Sequence, residues 1–191
     1  MKMKQHTSGF SLIELLLIIV IISVLAAIAI PTFSRWLPNY RLKQAARELY
    51  SNLQRTKAAA IKGNSEWRVY FDNSVSPGRY FMCSGMGANG AWDTPSGLGG
   101  DDVVAMTFNL SSYEGVNYGY GNALKDVNGD PFSSSIVYGS APVAAFTNRG
   151  TVSTPGYVYL SNAKGTAYAV GTPGTAGVVV IRKYNGANAW E

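Results

Sequence analysis

The side chains that most often carry chemistry are scarce in this chain. It holds one cysteine, Cys83, and one histidine, His6. A lone cysteine cannot close an internal disulfide, supply a CxxC zinc or redox pair, or anchor a haem through CxxCH. His6 lies in a short leader ahead of a long apolar run. Asp126-Val127-Asn128-Gly129-Asp130-Pro131 places oxygen ligands at alternate positions, as the opening of a calcium loop does. An EF-hand needs glycine at its sixth position and a bidentate glutamate at its twelfth. Those positions hold Pro131 and Val137, so an Asx turn is expected instead. The inventory predicts no catalytic set, no metal site and no cofactor, and it favours a structural protein over an enzyme.

One acid stands where charge is costly. Residues 15–30 read LLLIIVIISVLAAIAI, one serine among apolar side chains, with Glu14 at their head. As a helix, 10–33 would be about 36 Å long at ~1.5 Å per residue, enough to cross a hydrocarbon layer of about 30 Å. The basic start and the small residues near 27–29 would suit a cleaved secretory signal. The run is longer than the roughly 7–15 apolar residues usual there, however, and it opens on an acid. A carboxylate in hydrocarbon costs roughly 2.5 kcal/mol or more, so Glu14 needs a cationic partner unless it snorkels to the head groups. Lys2 and Lys4 precede the span while Arg35, Arg41 and Lys43 follow it. The positive-inside rule therefore leaves its orientation open.

Gly9-Phe10-Ser11-Leu12-Ile13-Glu14, with a basic leader before it and an apolar helix after it, resembles the type III signal of type IV pilins and type II secretion pseudopilins. Pro31 falls where such proteins commonly carry a helix-breaking proline. The resemblance implies that a prepilin peptidase cuts between Gly9 and Phe10 and that the Phe10 amine is then N-methylated. It also makes Glu14 an assembly residue, paired with the Phe10 amine of a neighbouring subunit. The leader would lie in the cytoplasm and the rest outside it, first in the inner membrane and then in a filament. Cleavage would remove His6 and leave the mature chain without histidine.

Beyond the apolar run the pattern changes. Leu42, Ala46, Leu49, Leu53 and Ala60 form a stripe at helical spacing, and Gly63-Asn64 supplies C-cap chemistry. Pro31 and Pro38 each remove a backbone donor, which predicts a bend or local unwinding between two helical halves. From 35 to 62 seven basic residues face one acid, Glu48, whereas 63–191 carries seven basic and nine acidic residues. The net charge of +5 thus belongs to the juxtamembrane segment, suited to acidic lipid or an acidic neighbour. Strand patterns follow at 66–71, 79–83, 103–108, 136–138, 143–146, 157–160, 167–170 and 178–183, with a glycine-rich loop at 84–100. The expected organisation is a leader at 1–9, a membrane helix at 10–33, an amphipathic helix at 34–63 and a β-rich domain at 64–191. The fold class is α+β, a long helix packed on antiparallel sheet.

The later residues narrow the resemblance. The helix from Leu49 through Leu53 to Lys57-Ala58-Ala59-Ala60-Ile61-Lys62-Gly63-Asn64 is similar to that of the GspH/FimT group of minor pilins and pseudopilins, with Ala59 in place of a usual glutamate. Phe146-Thr147-Asn148-Arg149-Gly150 resembles the F-x-x-RG turn of that group, and Gly156-Tyr157-Val158-Tyr159-Leu160 its next strand. This implies a non-catalytic filament subunit whose partners are other pilin or pseudopilin subunits, the prepilin peptidase and the inner-membrane assembly platform. The alternative is a single-span membrane protein with a periplasmic ligand-binding domain, which would keep its leader or use another peptidase. Some FimT-like proteins bind DNA through arginines in a C-terminal G-R-x-R segment. The comparable residues here are Gly186-Ala187-Asn188-Ala189, with Arg182 and Lys183 as the nearest basic candidates. Two cations on a net-acidic domain make DNA an unexpected partner.

Overall fold

The computed structural model describes residues 10–186 and 189–191. Contacts divide the chain into two compact units, one ending at Leu37 and the other Pro38–Glu191. One helix, α1 (Leu12–Lys62), runs without interruption through Pro31 and Pro38. The long helix expected from the sequence is present, and the local unwinding offered for the segment between the prolines is absent. A proline deletes one donor to the carbonyl four residues back. The two missing donors do not end the helix.

Among the described residues nine strands follow: β1 (Trp67–Asp72), β2 (Arg79–Gly85), β3 (Val103–Asn109), β4 (Val116–Tyr118), β5 (Ile136–Val137), β6 (Val143–Phe146), β7 (Gly156–Asn162), β8 (Ala167–Thr172) and β9 (Val180–Lys183). They form two antiparallel sheets. The first has the order β3-β2-β1-β6; the second has the order β4-β7-β8-β9, with β5 also paired to β7. Every strand pattern read from the sequence has its counterpart, and β4 is an addition. In α1 the expected stripe is buried: Leu42, Leu49 and Leu53 are at most 1% exposed, joined by Ala45, Asn52 and Thr56.

Alternation decides which strand residues meet the helix. Val69 and Phe71 of β1, Tyr80 and Met82 of β2, Val158 and Leu160 of β7 and Val170 of β8 share one core with the α1 stripe. Successive strand residues point to opposite faces, so Tyr70, Phe81 and Cys83 lie on the outer face of the first sheet, under Trp92. Tyr157, Tyr159, Ala167 and Ala169 lie on the outer face of the second, with Tyr184 and Trp190. The two sheets are tied where the β1–β2 turn meets β4. Asn117 Oδ1 accepts from Gly78 N at 2.9 Å, its Nδ2 donates to Ser76 Oγ at 2.9 Å, and Tyr118 OH donates to Arg79 O at 2.8 Å. A Cβ at Gly78 would strike the Tyr118 ring.

Candidate functional site

The helix start is built by Ser11. Glu14 N bonds to Ser11 O at 3.1 Å and to Ser11 Oγ at 3.4 Å, the serine half of a capping box in which Glu14 holds the third helical position. An acid in the first turn also complements the helix dipole. The S-x-x-E spacing carries this signal in the sequence. Phe10 is 76% exposed, and its neighbours along the run, from Leu12 to Phe33, are exposed as well. Its most apolar 18-residue window is long and apolar enough to cross a membrane and has no buried residue. The polar side chains inside the run are satisfied locally: Ser23 Oγ donates to Ile19 O at 2.7 Å and Thr32 Oγ1 to Ile28 O at 3.3 Å. Hydroxyls bonded back to the helix expose little polarity to a surrounding apolar phase. Pro31 is helical rather than a break. Gly9, and with it the expected cleavage junction, lies outside the described residues.

The other end of α1 is held by the motifs that carry the later resemblance. Asn64 is left-handed at φ 44°, Asn64 N bonds to Ile61 O and Ser65 N to Ala60 O, each at 3.2 Å. These are the paired bonds of a Schellman cap, with asparagine in the position that glycine usually fills. Asn64 Oδ1 accepts from Asn148 Nδ2 at 2.9 Å, so the cap is tied to the turn after Phe146. Gly150 in that turn has φ 76°, and a Cβ there would come within 2.8 Å of Ile61 Cδ1 and 3.1 Å of Lys57 Cε. Glycine is required twice over, by its backbone and by the approach to the helix. Lys57 Nζ donates to Gly177 O at 2.9 Å, a contact that no local spacing announces. Arg149 is exposed. The turn is an architectural clamp.

The remaining candidates separate. Arg182 lies on β9 and donates to Trp190 O at 3.5 Å, while Lys183 is exposed. As consecutive strand residues they point to opposite faces and do not make one basic patch. Ala187 and Asn188 of the 186–189 segment lie outside the described residues. Asp126 Oδ1 accepts from Asn128 N at 2.8 Å and Asp130 N at 2.9 Å, the Asx geometry expected there. Cys83 is buried; burial, with the Asp102 carboxylate nearby, pushes its thiol up to about 12. Such a thiol is a core residue rather than a nucleophile.

Two family models match the chain. One, described as the prokaryotic N-terminal methylation motif, covers residues 4–30. The other, described as type II transport protein GspH, covers residues 45–182, more than half of the chain. No curated protein and no solved structure gives a match. The methylation motif covers the Gly9-Phe10 junction, Glu14 and the apolar run, and the second model takes in both the α1 stripe and the clamp at Gly150. The chain belongs to the GspH family of type II transport proteins, pilin-like subunits of type II secretion systems or type IV pili.

Proposed function

We propose that this protein is a minor pilin or pseudopilin with a non-catalytic role. Prepilin peptidase cuts it between Gly9 and Phe10, the Phe10 amine is methylated, and the helix waits in the inner membrane before joining a filament. The leader is cytoplasmic and Pro38–Glu191 is delivered to the periplasmic side. The observation that carries this reading is an apolar helical surface from Leu12 to Phe33 with none of its large side chains buried, headed by one acid. Water does not tolerate such a surface on an isolated chain. Lipid covers it before assembly and the helices of neighbouring subunits cover it afterwards. Glu14 then meets the Phe10 amine of the next subunit, which removes the cost of a lone carboxylate in hydrocarbon. Nucleic acid has no part in this reading, because Arg182 is engaged by Trp190 and Lys183 faces away from it.

Processing tests it most directly. Co-expression with a prepilin peptidase is expected to remove nine residues and leave N-methyl-Phe10 at the new terminus, read by N-terminal mass spectrometry. Gly9→Leu is expected to abolish the cut. Cleavage within 27–29 would instead make the run an ordinary secretory signal and end the pilin reading.

A further inference from the structure

The glycine-rich loop between β2 and β3 brings together three carboxylates that no sequence motif marks. Asp93, Asp101 and Asp102 each offer an oxygen within 4.8 Å of the other two. Calcium binds oxygens at about 2.3–2.6 Å, so ligands of one ion stand up to roughly 5 Å apart. The loop holds the carboxylates from behind. Asp93 Oδ2 accepts from Asn89 Nδ2 at 3.0 Å, Asp101 Oδ2 from Asn89 N at 3.0 Å and Asp102 Oδ1 from Asp93 N at 3.3 Å.

Those bonds leave two buried oxygens, Asp101 Oδ1 and Asp102 Oδ2, without a donor. Asp102 as a whole is 0% exposed. Among the described residues no lysine or arginine forms a salt bridge with any of the three. Arg68, over the Trp92 ring at 4.6 Å, pairs with Glu66 instead. The Tyr70 hydroxyl lies close to the Asp102 carboxyl but donates to Asp93 O. A buried carboxylate oxygen without a donor is expensive, and a cation held by the three carboxylates would offset that cost. Two glycines let the loop backbone pack closely on these carboxylates. A Cβ at Gly87 would strike the Asp101 carboxyl, and one at Gly100 would strike Thr94 O, Thr94 Oγ1 and Asp93 Oδ1.

We propose that Asp93, Asp101 and Asp102 bind a calcium ion that fastens this loop over the outer face of the first sheet. The donors are all hard oxygens, which excludes the softer metals that prefer nitrogen or sulfur. They come from a loop of irregular shape, which suits the adaptable coordination of calcium better than the strict octahedron of magnesium. The loop lies against the sheet through Trp92, packed on Tyr70, Phe81 and Cys83, and through Tyr70 OH, which donates to Asp93 O at 2.7 Å. An ion there would order the loop and the surface it presents to other subunits.

The test uses the full chain in detergent micelles, stripped with EGTA. Calcium chloride is expected to raise its thermal unfolding midpoint, and terbium is expected to give luminescence sensitised by the adjacent Trp92 and displaced by calcium. Removing even an outer-shell partner of a metal site costs about 10–100-fold in affinity, so Asp101→Asn and Asp93→Asn should each lose at least roughly tenfold. Both are partly or fully exposed positions whose substitution leaves the core intact. Trp92→Phe should abolish the luminescence and keep the calcium-dependent shift. No shift with calcium, an equal response to magnesium, or affinity unchanged in both asparagine variants would overturn the assignment.

Discussion

The two stretches of α1 obey opposite rules. From Leu12 to Leu37 apolar side chains point in every direction and none is buried; from Pro38 to Lys62 one stripe is buried and much of the remaining surface is charged or polar. The second stretch has its apolar partner within the chain, in the inner faces of two sheets. The first has no such partner among the described residues and must take one from outside. One helix thus contributes half of its length to a buried core and leaves the other half exposed. Substitutions should separate the halves. Leu53→Ala is expected to cost about 2–5 kcal/mol of stability, the range for a leucine truncated in a well-packed core. Leu17→Ala, at an exposed position, is expected to leave thermal unfolding of the detergent-solubilised chain unchanged. A fragment starting near Arg35 should be soluble and folded, with circular dichroism of one helix plus β structure, and should show the same Leu53→Ala loss. Equal losses for Leu17→Ala and Leu53→Ala would break the comparison.

Glu14 sharpens it, because its backbone N–H is capped by Ser11 while its carboxylate, in the proposed filament, pairs with a neighbour's amine. Glutamine keeps the shape and some hydrogen bonding but discards the charge; alanine discards both, and either keeps the backbone bond to Ser11. Neither is expected to impair membrane insertion or peptidase cleavage, since a charge in hydrocarbon hinders insertion. Both are expected to lower incorporation several-fold, measured as subunit in sheared filaments relative to subunit in the membrane. Both variants incorporating like wild type would show that Glu14 is not an assembly partner.

What the sequence made legible follows the same division. Periodicity exposed the stripe of α1 and the strand patterns, because burial against a sheet forces a regular spacing on local residues. It did not settle whether the long helix unwinds between its prolines, since a single lost hydrogen bond does not show whether the flanking turns hold. Nor did it show β4. Three residues, Val116–Tyr118, are fixed by Asn117 and Tyr118 reaching the β1–β2 turn some forty positions away, and no local pattern encodes such a tether. The clamp at Gly150 was visible as a motif, but its reason, the approach to Lys57 and Ile61, exists only in three dimensions. The three aspartates of the glycine-rich loop were invisible for a similar cause: Asp93 and Asp101 stand eight residues apart without regular spacing. An irregular loop brings them together.

The smallest expected effect confines acid sensitivity to the water-soluble half. Burial pushes the Asp72 carboxyl up, but the Ser74 hydroxyl and the Arg79 guanidinium outweigh it, with a further bond from Ser74 N, and hold the group below its ordinary value. Arg79 Nε lies 2.8 Å from Asp72 Oδ2 and Ser74 N 2.9 Å from Oδ1. A carboxyl whose value is lowered in the folded chain contributes its full stability above the unfolded value, about 3.9. That contribution is lost as pH falls through the lower folded value. The unfolding midpoint should therefore respond to Asp72 only below about pH 4. Asp93 is also held low, against a desolvation that raises it, by the backbone N–H groups of Thr94 and Asp101. The raw acid slope thus contains both groups, and the informative quantity is the difference between wild type and Asp72→Asn. That difference should appear equally in the fragment starting near Arg35 and in the full chain in detergent, because Asp72 belongs to Pro38–Glu191. An acid slope identical in wild type and Asp72→Asn would remove this carboxylate from the account of stability. A difference present only in the full chain would show that the two halves of α1 do not answer to separate surroundings.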